Sequence, residues 1–272
     1  MDDIINSIAK KNADNANEGD YINEQGLRVC GKCNQLKQSL HEFPTGSGIM
    51  RKFPITCRCD EEEERAFKER IARQVYQDRI KELRKQGLTD KAYEKNTFEN
   101  DDNRNASMTE ICRKYVAHWN EMKESGTGIL FYGNTGGGKS FYSCCIANAL
   151  IDKGVKVIVT RLSDLVRNRT DKNSIDIELK QFDLVVLDDI GVENATQTAF
   201  NIIDDIYRAN IPLIVTTNLA PSELKAPDSL EKQRIYDRVI ERCCLTYRVD
   251  TVVSRLETAK ANRENALKIL NS

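Results

Sequence analysis

One segment of the chain has the residue types and the spacing to hold a polyphosphate. It follows an apolar run of strand length and matches the pattern G-x-x-x-x-G-K-[ST]. Its glycines let backbone N–H groups approach an anion, and a helix expected to begin near Lys139 directs its positive end toward the same anion. Lys139 is expected to reach the outer phosphates, and the Ser140 hydroxyl is expected to bind Mg²⁺. A chance glycine-rich turn is the alternative, which the flanking strand and helix disfavour. The segment is Gly133-Asn134-Thr135-Gly136-Gly137-Gly138-Lys139-Ser140.

Two carboxylates follow another apolar run, Leu184 to Leu187. The carboxyl ends of parallel strands are where open α/β sheets bind ligands. We therefore expect Asp188 to lie on the magnesium side of the site. Asp189 points to the opposite face of the strand end, where it is placed to hold and polarise an attacking water. Two solvated loop acids are the alternative interpretation.

Two further polar residues are candidates for the same site. Asn218 follows the apolar run Leu213 to Thr217, within reach of a terminal phosphate and its water. It is also a plausible turn residue before Pro221, since Asn favours turns. Arg238 lies in a predicted helix over 231–242, from which it could enter the site of a neighbouring subunit and stabilise charge on the transferred phosphoryl group. A salt-bridged, solvated helix face explains Arg238 equally well.

A second kind of chemistry is suggested near the N-terminus by four of the nine cysteines. Cys30 and Cys33 form C-x₂-C, and after 23 residues Cys57 and Cys59 form C-x-C. Four thiolates are a closed, structural zinc set, and this stretch has too few apolar residues to fold without such a tether. His41 is a possible substitute ligand, and free or redox thiols remain the alternative. The other cysteines, expected to be buried small hydrophobes, are Cys112, Cys144, Cys145, Cys243 and Cys244.

The elements that position the phosphate residues are short apolar runs separated by stretches long enough for crossover helices. They are apolar throughout rather than alternating, which predicts an α/β fold with a parallel sheet covered on both faces. The runs are Ile129 to Tyr132, Val155 to Thr160, Leu184 to Leu187 and Leu213 to Thr217. A fifth run, Leu245 to Val249, could close the sheet.

The organisation predicted from the sequence has three parts. Residues 1–62 form a zinc-binding module, 63–96 a helical linker and 97–272 the ATPase domain. Within the first part, residues 1–28 are polar and predict a weakly ordered arm. The linker belongs to one long, mostly solvated helix that Gly87 is expected to stop. Its narrow apolar stripe consists of Phe67, Ile71, Val75, Ile80 and Leu83.

Overall charge argues against a dedicated nucleic-acid binder, because 41 basic and 42 acidic side chains leave a net charge of -1. Any DNA contact must therefore be local. The candidate patch is Arg161, Arg167, Arg169 and Lys172, which could track a single-stranded backbone or form a solvated helix face. The sequence has no long apolar span and no secretory signal, which predicts a cytoplasmic protein without a membrane partner.

Taken together, these blocks resemble a known family. The segments TFEN, GNTGGGKS, FDLVVLDDIG, LIVTTNL and RIYDRVIER occur in the order and spacing of the DnaC/DnaI-type helicase loaders and the related transposition ATPase IstB. These are P-loop AAA+ ATPases, and the resemblance covers roughly residues 97–258. It implies a parallel sheet with strand order 5-1-4-3-2 and ATP as the nucleotide.

The resemblance also implies roles for individual residues. Asp188 and Asp189 match the Walker B acidic pair, Asn218 matches sensor 1, and Arg238 matches the arginine finger. Many AAA+ enzymes have Glu where this chain has Asp189, and the shorter side chain would hold water less well. We therefore expect slow, switch-like ATP hydrolysis.

Two more residues are predicted to belong to the nucleotide site by resemblance alone. Arg255 resembles the arginine that closes the domain of this family, and Phe98 falls where the family brings the chain past the adenine. The resemblance further implies that residues 1 to about 90 grip a hexameric replicative helicase, that the ATPase domain self-associates, and that single-stranded DNA is bound.

Three functions remain open at this point: a helicase loader, an IstB-like transposition helper and a P-loop small-molecule kinase. The cysteine module favours the loader. The kinase ranks last because no Arg-rich lid follows the third strand.

Overall fold

The computed structural model of the protein describes residues 17–171, 177–191, 197–250 and 263. The chain divides into two compact units, residues 1–77 and 78–272. The division falls inside one long helix. The domain boundaries predicted from the sequence, after residues 62 and 96, stay predictions.

The N-terminal unit contains two small antiparallel strand pairs. Strand β1 (Tyr21–Ile22) pairs with β2 (Arg28–Val29), and β3 (Gln38–Glu42) pairs with β4 (Met50–Pro54). The prediction of a weakly ordered arm over residues 1–28 is therefore wrong from Tyr21 onward, because backbone pairing fixes this part of it. Residues 1–16 lie outside the described residues.

The long helix α1 (Arg58–Gly87) ends at the predicted glycine. Gly87 is buried, and a Cβ built on it would lie 1.9 Å from the Val157 carbonyl oxygen, so no side chain fits there without a shift of the backbone. Of the predicted apolar stripe, Ile80 and Leu83 are buried. The remaining stripe residues are exposed, namely Phe67, Ile71 and Val75.

The core of the second unit is a five-stranded parallel sheet in the order β6-β7-β8-β5-β9. Numbered within the sheet, this is the 5-1-4-3-2 order that the family resemblance implies, so the predicted fold is confirmed. The strands are β5 (Ile129–Tyr132), β6 (Val157–Thr160), β7 (Leu184–Ile190), β8 (Leu213–Thr217) and β9 (Leu245–Arg248).

Helices cover both faces of the sheet, and their apolar sides build two core clusters. Among the cysteines outside the N-terminal four, Cys112, Cys144, Cys145 and Cys243 are buried as predicted, whereas Cys244 is exposed. Cys244 follows the last helical turn before β9, so the helical periodicity used to predict its burial no longer applies. The helices are α2 (Lys91–Glu94), α3 (Ala106–Ala117), α4 (Trp119–Ser125), α5 (Lys139–Asp152), α6 (Leu162–Thr170), α7 (Gln197–Arg208), α8 (Pro221–Lys225) and α9 (Leu230–Arg242), with 3₁₀ turns at Phe98–Asn100 and Leu179–Gln181.

The outer edge of β6 is covered by the chain that follows α1. Leu88 forms a parallel bridge with Val159. The Thr89 hydroxyl and N–H both donate to the Val159 carbonyl, at 2.8 and 3.3 Å. Hydrogen-bonding groups that a sheet edge would otherwise present to solvent are thus occupied by the preceding segment.

Across the described ranges, no helix combines the length and the apolar character needed to cross a bilayer.

Candidate functional site

The predicted phosphate loop connects β5 to α5. Gly133, Gly136 and Gly138 have φ values of 129°, 89° and 93°, which side chains rarely adopt. Cβ atoms at Gly133 and Gly137 would lie 2.6 and 2.3 Å from the Val249 carbonyl oxygen. The loop therefore needs glycine for both its conformation and its close contact with the chain after β9.

Lys139 lies at the first position of α5 and is buried. Its Nζ donates to the carbonyls of Gly133 and Asn134, both at 2.9 Å, and to Asn218 Oδ1 at 2.8 Å. The structure thus brings together the lysine of the loop and the asparagine after β8, which are 79 residues apart in sequence.

Asp188 is buried at the end of β7 and receives three hydroxyl donors. Ser140 and Thr216 each donate to Oδ1 at 2.7 Å, and Tyr93 donates to Oδ2 at 3.3 Å. The hydroxyl of Ser140 and the carboxylate of Asp188 are hard oxygen ligands of the kind that Mg²⁺ prefers. The two groups that the sequence predicts as magnesium ligands therefore lie in direct contact.

The neighbouring acid has a different environment. Asp189 is exposed and has a φ of 62°, and the register between β7 and β8 shifts between Leu187 and Ile190. Its N–H donates to Thr216 Oγ1 at 2.8 Å, and its Oδ1 accepts from Asn218 Nδ2 at 3.4 Å. Because of this irregularity, the Asp189 carboxylate is exposed to solvent, whereas the carboxylate of Asp188 beside it is buried.

These groups border a single cavity of about 390 Å³. It unites the phosphate loop with residues from the carboxyl ends of three strands, as expected for a ligand site in a parallel sheet. Three of its residues, Phe141, Arg161 and Thr216, were not assigned to a phosphate site from the sequence. The lining residues are Thr135, Gly136, Gly138, Lys139, Ser140, Phe141, Arg161, Asp188, Asp189, Thr216 and Asn218.

A second cavity shares Gly136, Gly138 and Phe141 with the first. It is bordered by Asn100, Asp101, Tyr142 and Asp250, together with the loop glycines. Phe98, predicted to lie near the adenine, is buried two residues before this wall and lines a different cavity. Periodicity could not identify these cavity residues, since they come from distant parts of the chain.

Arg238, predicted to be an arginine finger, is paired with an aspartate of its own chain. Arg238 Nε donates to Asp204 Oδ1 at 2.6 Å, and its guanidinium lies over the rings of Phe200 and Tyr207, at 5.3 and 5.1 Å. The hydrogen bond from Arg238 holds the pKa of the Asp204 carboxyl below its ordinary value. Within its own chain Arg238 therefore stabilises the contact between α7 and α9. Arg255 lies outside the described residues.

The basic residues proposed as a DNA patch do not share one environment. Arg161 lines the phosphate cavity, and Arg167 and Arg169 are paired with neighbouring aspartates. Lys172 lies outside the described residues. Arg161 thus belongs to the phosphate cavity.

The four N-terminal cysteines form one cluster. The Sγ atoms of Cys30, Cys33, Cys57 and Cys59 all lie within 4.8 Å of one another. A zinc ion with Zn–S bonds of about 2.3 Å requires edges of about 3.8 Å, so the cluster fits the ion. A hydrogen bond from the Gln35 backbone lowers the pKa of Cys33 to about 7, so Cys33 is the thiol of the cluster that most readily forms the thiolate that a metal needs. Burial raises the pKa of Cys57 to about 12, and the hydrogen bond with Cys33 raises that of Cys59 to about 11.

A buried ion pair stands next to this cluster. Lys37 is fully buried and its Nζ lies 2.8 Å from Asp60 and 3.1 Å from Asp20. Burial alone lowers the pKa of Lys37, but its two carboxylate partners outweigh that effect and raise it. Because Asp60 adjoins Cys59, the pair fixes the start of α1 relative to the strands. His41 is exposed on β3 and is not part of the cluster.

Comparisons with known proteins agree with this geometry. The family described as IstB-like ATP binding protein matches residues 61–261. A Sinorhizobium fredii protein named for an insertion sequence and ATP binding is 29% identical over 141 residues, 48% of this chain and 47% of its own. The replicative helicase loader DnaI of Bacillus subtilis is 26% identical over 132 residues, 44% of this chain and 42% of its own. The chain thus spans less than half the length of these curated relatives.

A similar fold occurs among solved structures. A primosome component of Streptococcus pyogenes serotype M3 superposes with a TM-score of 0.50 and 22% identity. The match covers 62% of this chain and 94% of that one. At this identity the likeness establishes the fold alone.

Proposed function

Because the chain belongs to the family of IstB-like ATP binding proteins, we propose that it is an ATP-dependent loader that delivers a hexameric replicative helicase to single-stranded DNA. The chain is an AAA+ ATPase by family. The substrate of the reaction is ATP. We propose that the protein uses ATP hydrolysis to load the helicase.

In this proposal, each part of the phosphate cavity has a separate task. The backbone of the glycine loop and Lys139 bind the phosphates. Asp189 is exposed to the cavity and orients the attacking water, while Asn218, which contacts both Lys139 and Asp189, aligns the water with the terminal phosphate. Mg²⁺, for which Ser140 and Asp188 are the ligands, would neutralise phosphate charge when bound.

The observation that carries the loader proposal is the separate N-terminal unit with its cysteine cluster. A zinc-stapled unit adds nothing to phosphate chemistry, but it provides a rigid surface for a protein partner. Exposed apolar side chains in this unit include Tyr21, Ile22, Phe43 and Met50, and such residues favour protein contacts. The B. subtilis relative is itself named as a replicative helicase loader.

Self-association through the ATPase unit is part of the proposal. Arg238 would stabilise charge in the site of the adjacent subunit, which requires it to leave or share Asp204. Single-stranded DNA is the proposed nucleic-acid partner, with contacts that weaken as salt rises.

A second candidate function has its own support. The relative from S. fredii is named for an insertion sequence and is slightly more similar than the loader. A transposition helper would use the same ATP site but would bind a transposase.

Co-purification of the full chain from its host distinguishes the two functions. With ATP present, we expect the replicative helicase to be retained by the wild-type chain, and the Lys139→Ala variant shows whether retention depends on nucleotide. The Cys33→Ser variant is expected to lose the helicase while still binding ATP. Retention of a transposase without the helicase would contradict the loader proposal and support the helper.

A further inference from the structure

Arg161 occupies a position that the phosphate-loop pattern does not include. It directly follows Thr160, the last residue of β6, and Thr160 pairs with Leu187, the residue before Asp188. Arg161 therefore emerges at the same end of the sheet as the magnesium acid, one strand away. It lines the same cavity as Lys139, Asp188 and Asp189.

Tyr93 joins Arg161 to the site. The Tyr93 hydroxyl donates to Asp188 Oδ2 at 3.3 Å. The electrostatic interaction with Tyr93 is the main influence that raises the pKa of Arg161, so the phenol and the guanidinium lie close together. A phenol oxygen has lone pairs left to accept from a guanidinium while it donates to Asp188. The Tyr93 ring is buried, and its carbonyl accepts from Asn148 Nδ2 at 2.9 Å, which ties it to the phosphate-loop helix α5.

Arg161 is exposed, lines the cavity and differs in its pairing from the arginines that follow it. Within the described residues it has no carboxylate at ion-pair distance, whereas Arg167 and Arg169 of the same segment are both paired. A guanidinium has five N–H donors, more than a single neighbouring hydroxyl can use. A planar, permanently charged group of this kind suits phosphate oxygens.

We infer that Arg161 is a second cation of the ATP site, supplied by the same chain, that contacts the terminal phosphate, and that Tyr93 is the residue that positions it. This inference rests on the proposed nucleotide function of the cavity. Lys139 comes from the loop side of the cavity, and Arg161 comes from the far side of Asp188. The two cations therefore approach the phosphates from different directions, and Arg161 distinguishes ATP from ADP.

The test compares affinities for a magnesium complex of a non-hydrolysable ATP analogue and for magnesium-ADP, together with kcat. Loss of a charged hydrogen bond corresponds to about tenfold to a hundredfold in affinity. Arg161→Ala is expected to weaken the ATP analogue at least about tenfold and to lower kcat, with ADP affinity within about twofold. Arg161→Lys should recover part of the loss, since charge returns without the planar fork.

Tyr93→Phe tests the positioning role, because it removes only the hydroxyl. It should shift the ATP-to-ADP affinity ratio in the same direction by a smaller factor. Arg167→Ala is the matched control: it lies on α6, is exposed and paired, and does not line the cavity. Thermal unfolding of each variant identifies any that fail to fold.

Two results would overturn the inference. One is an unchanged affinity for the ATP analogue in a folded Arg161→Ala protein, and the other is an equal loss of affinity for both nucleotides, which would make Arg161 only a support for Asp188. Lys139→Ala separates this failure from that of the function itself: it should lose both nucleotides, and if it binds both normally, the cavity is not the ATP site.

Discussion

The two adjacent carboxylates of β7 lie in environments suited to different tasks. Asp188 is buried under three hydroxyl donors, and Asp189 is exposed in a left-handed backbone conformation. A residue that only orients water contributes little to ground-state binding. Asp189→Asn should therefore bind ATP as wild type does but lower kcat by about 10²-fold or more.

Steady-state hydrolysis and equilibrium nucleotide binding, measured on the same preparation, check this prediction. Asp228→Asn serves as the control, because Asp228 is an acid outside the cavity that is paired with Lys232. Normal turnover in Asp189→Asn would exclude Asp189 as the water-orienting residue.

The Asp204 carboxylate gives a pH-dependent prediction. Its pKa in the folded chain is lowered from 3.8, chiefly by Arg238 and further by Arg208. A lowered folded pKa adds stability that is complete above the unfolded value and is lost as the pH falls below 3.8 through the folded value. Asp204→Asn should therefore lower Tm at pH 7 by about 2–4 °C, with the difference from wild type shrinking as the pH falls below 3.8.

Thermal unfolding of both proteins from pH 7 to pH 3 provides the measurement. A difference in Tm that stays constant over this range would mean that Asp204 contributes by packing and not by charge.

Single-residue roles were predictable where a local pattern carries them. The spacing from Gly133 to Ser140 and the acids after a buried strand predicted, without any structure, residues that the structure brings together around one cavity. Tyr93 and Arg161 were not predicted to belong to this cavity. Their place beside Asp188 depends on the folding together of segments that are 68 positions apart in the sequence. The sequence placed Arg161 in a candidate DNA patch, and neither residue belongs to a pattern that indicates a phosphate site.

At the scale of elements, the junction between α1 and β6 depends on a glycine, because Gly87 lies directly against the β6 backbone with no room for a Cβ. Gly87→Ala would bring a Cβ to 1.9 Å from the Val157 carbonyl oxygen, so the helix end or the strand must move. We expect a loss of about 1–3 kcal/mol in the free energy of unfolding.

Chemical denaturation checks this expectation, and Gln86→Ala is the control. Gln86 is the exposed preceding residue in the same helical turn, and alanine favours helix. If Gly87→Ala and wild type have equal free energies of unfolding, the helix end or the strand can move to accommodate the Cβ without a loss of stability.

Element types were predicted better than element ends. Apolar runs identified the four buried strands of the parallel sheet, because buried strands need no polar face. The edge strand β9, whose residues alternate between half-buried and exposed, came from the less apolar run Leu245 to Val249. However, β7 continues to Ile190, since the register shift lets the strand resume pairing after Asp189. The strand order came from family resemblance, and no local pattern in the chain contains it.

At the scale of the whole molecule, the folding of the N-terminal unit should depend on a bound metal ion, whereas the folding of the ATPase unit should not. Removal of zinc by a chelator is expected to unfold the N-terminal unit while ATP binding by the other unit persists, because structural zinc contributes directly to folding. The wild-type chain should contain about one zinc per molecule.

Metal analysis and limited proteolysis, each with parallel nucleotide binding, test this. Cys33→Ser should lose the metal, and Cys244→Ser, which changes an exposed cysteine outside the cluster, should keep it. Purified wild-type protein that contains no zinc yet resists proteolysis would exclude the zinc centre.

The strap formed by Leu88 and Thr89 along β6 bears on how the protein can be shortened. A fragment that starts at residue 97, where the sequence alone places the beginning of the ATPase domain, would lack this strap and also Tyr93. Its bare sheet edge would be open to strands from other copies, which favours aggregation. A fragment that starts at residue 78 keeps both, and it is the better choice for preparing the ATPase unit by itself.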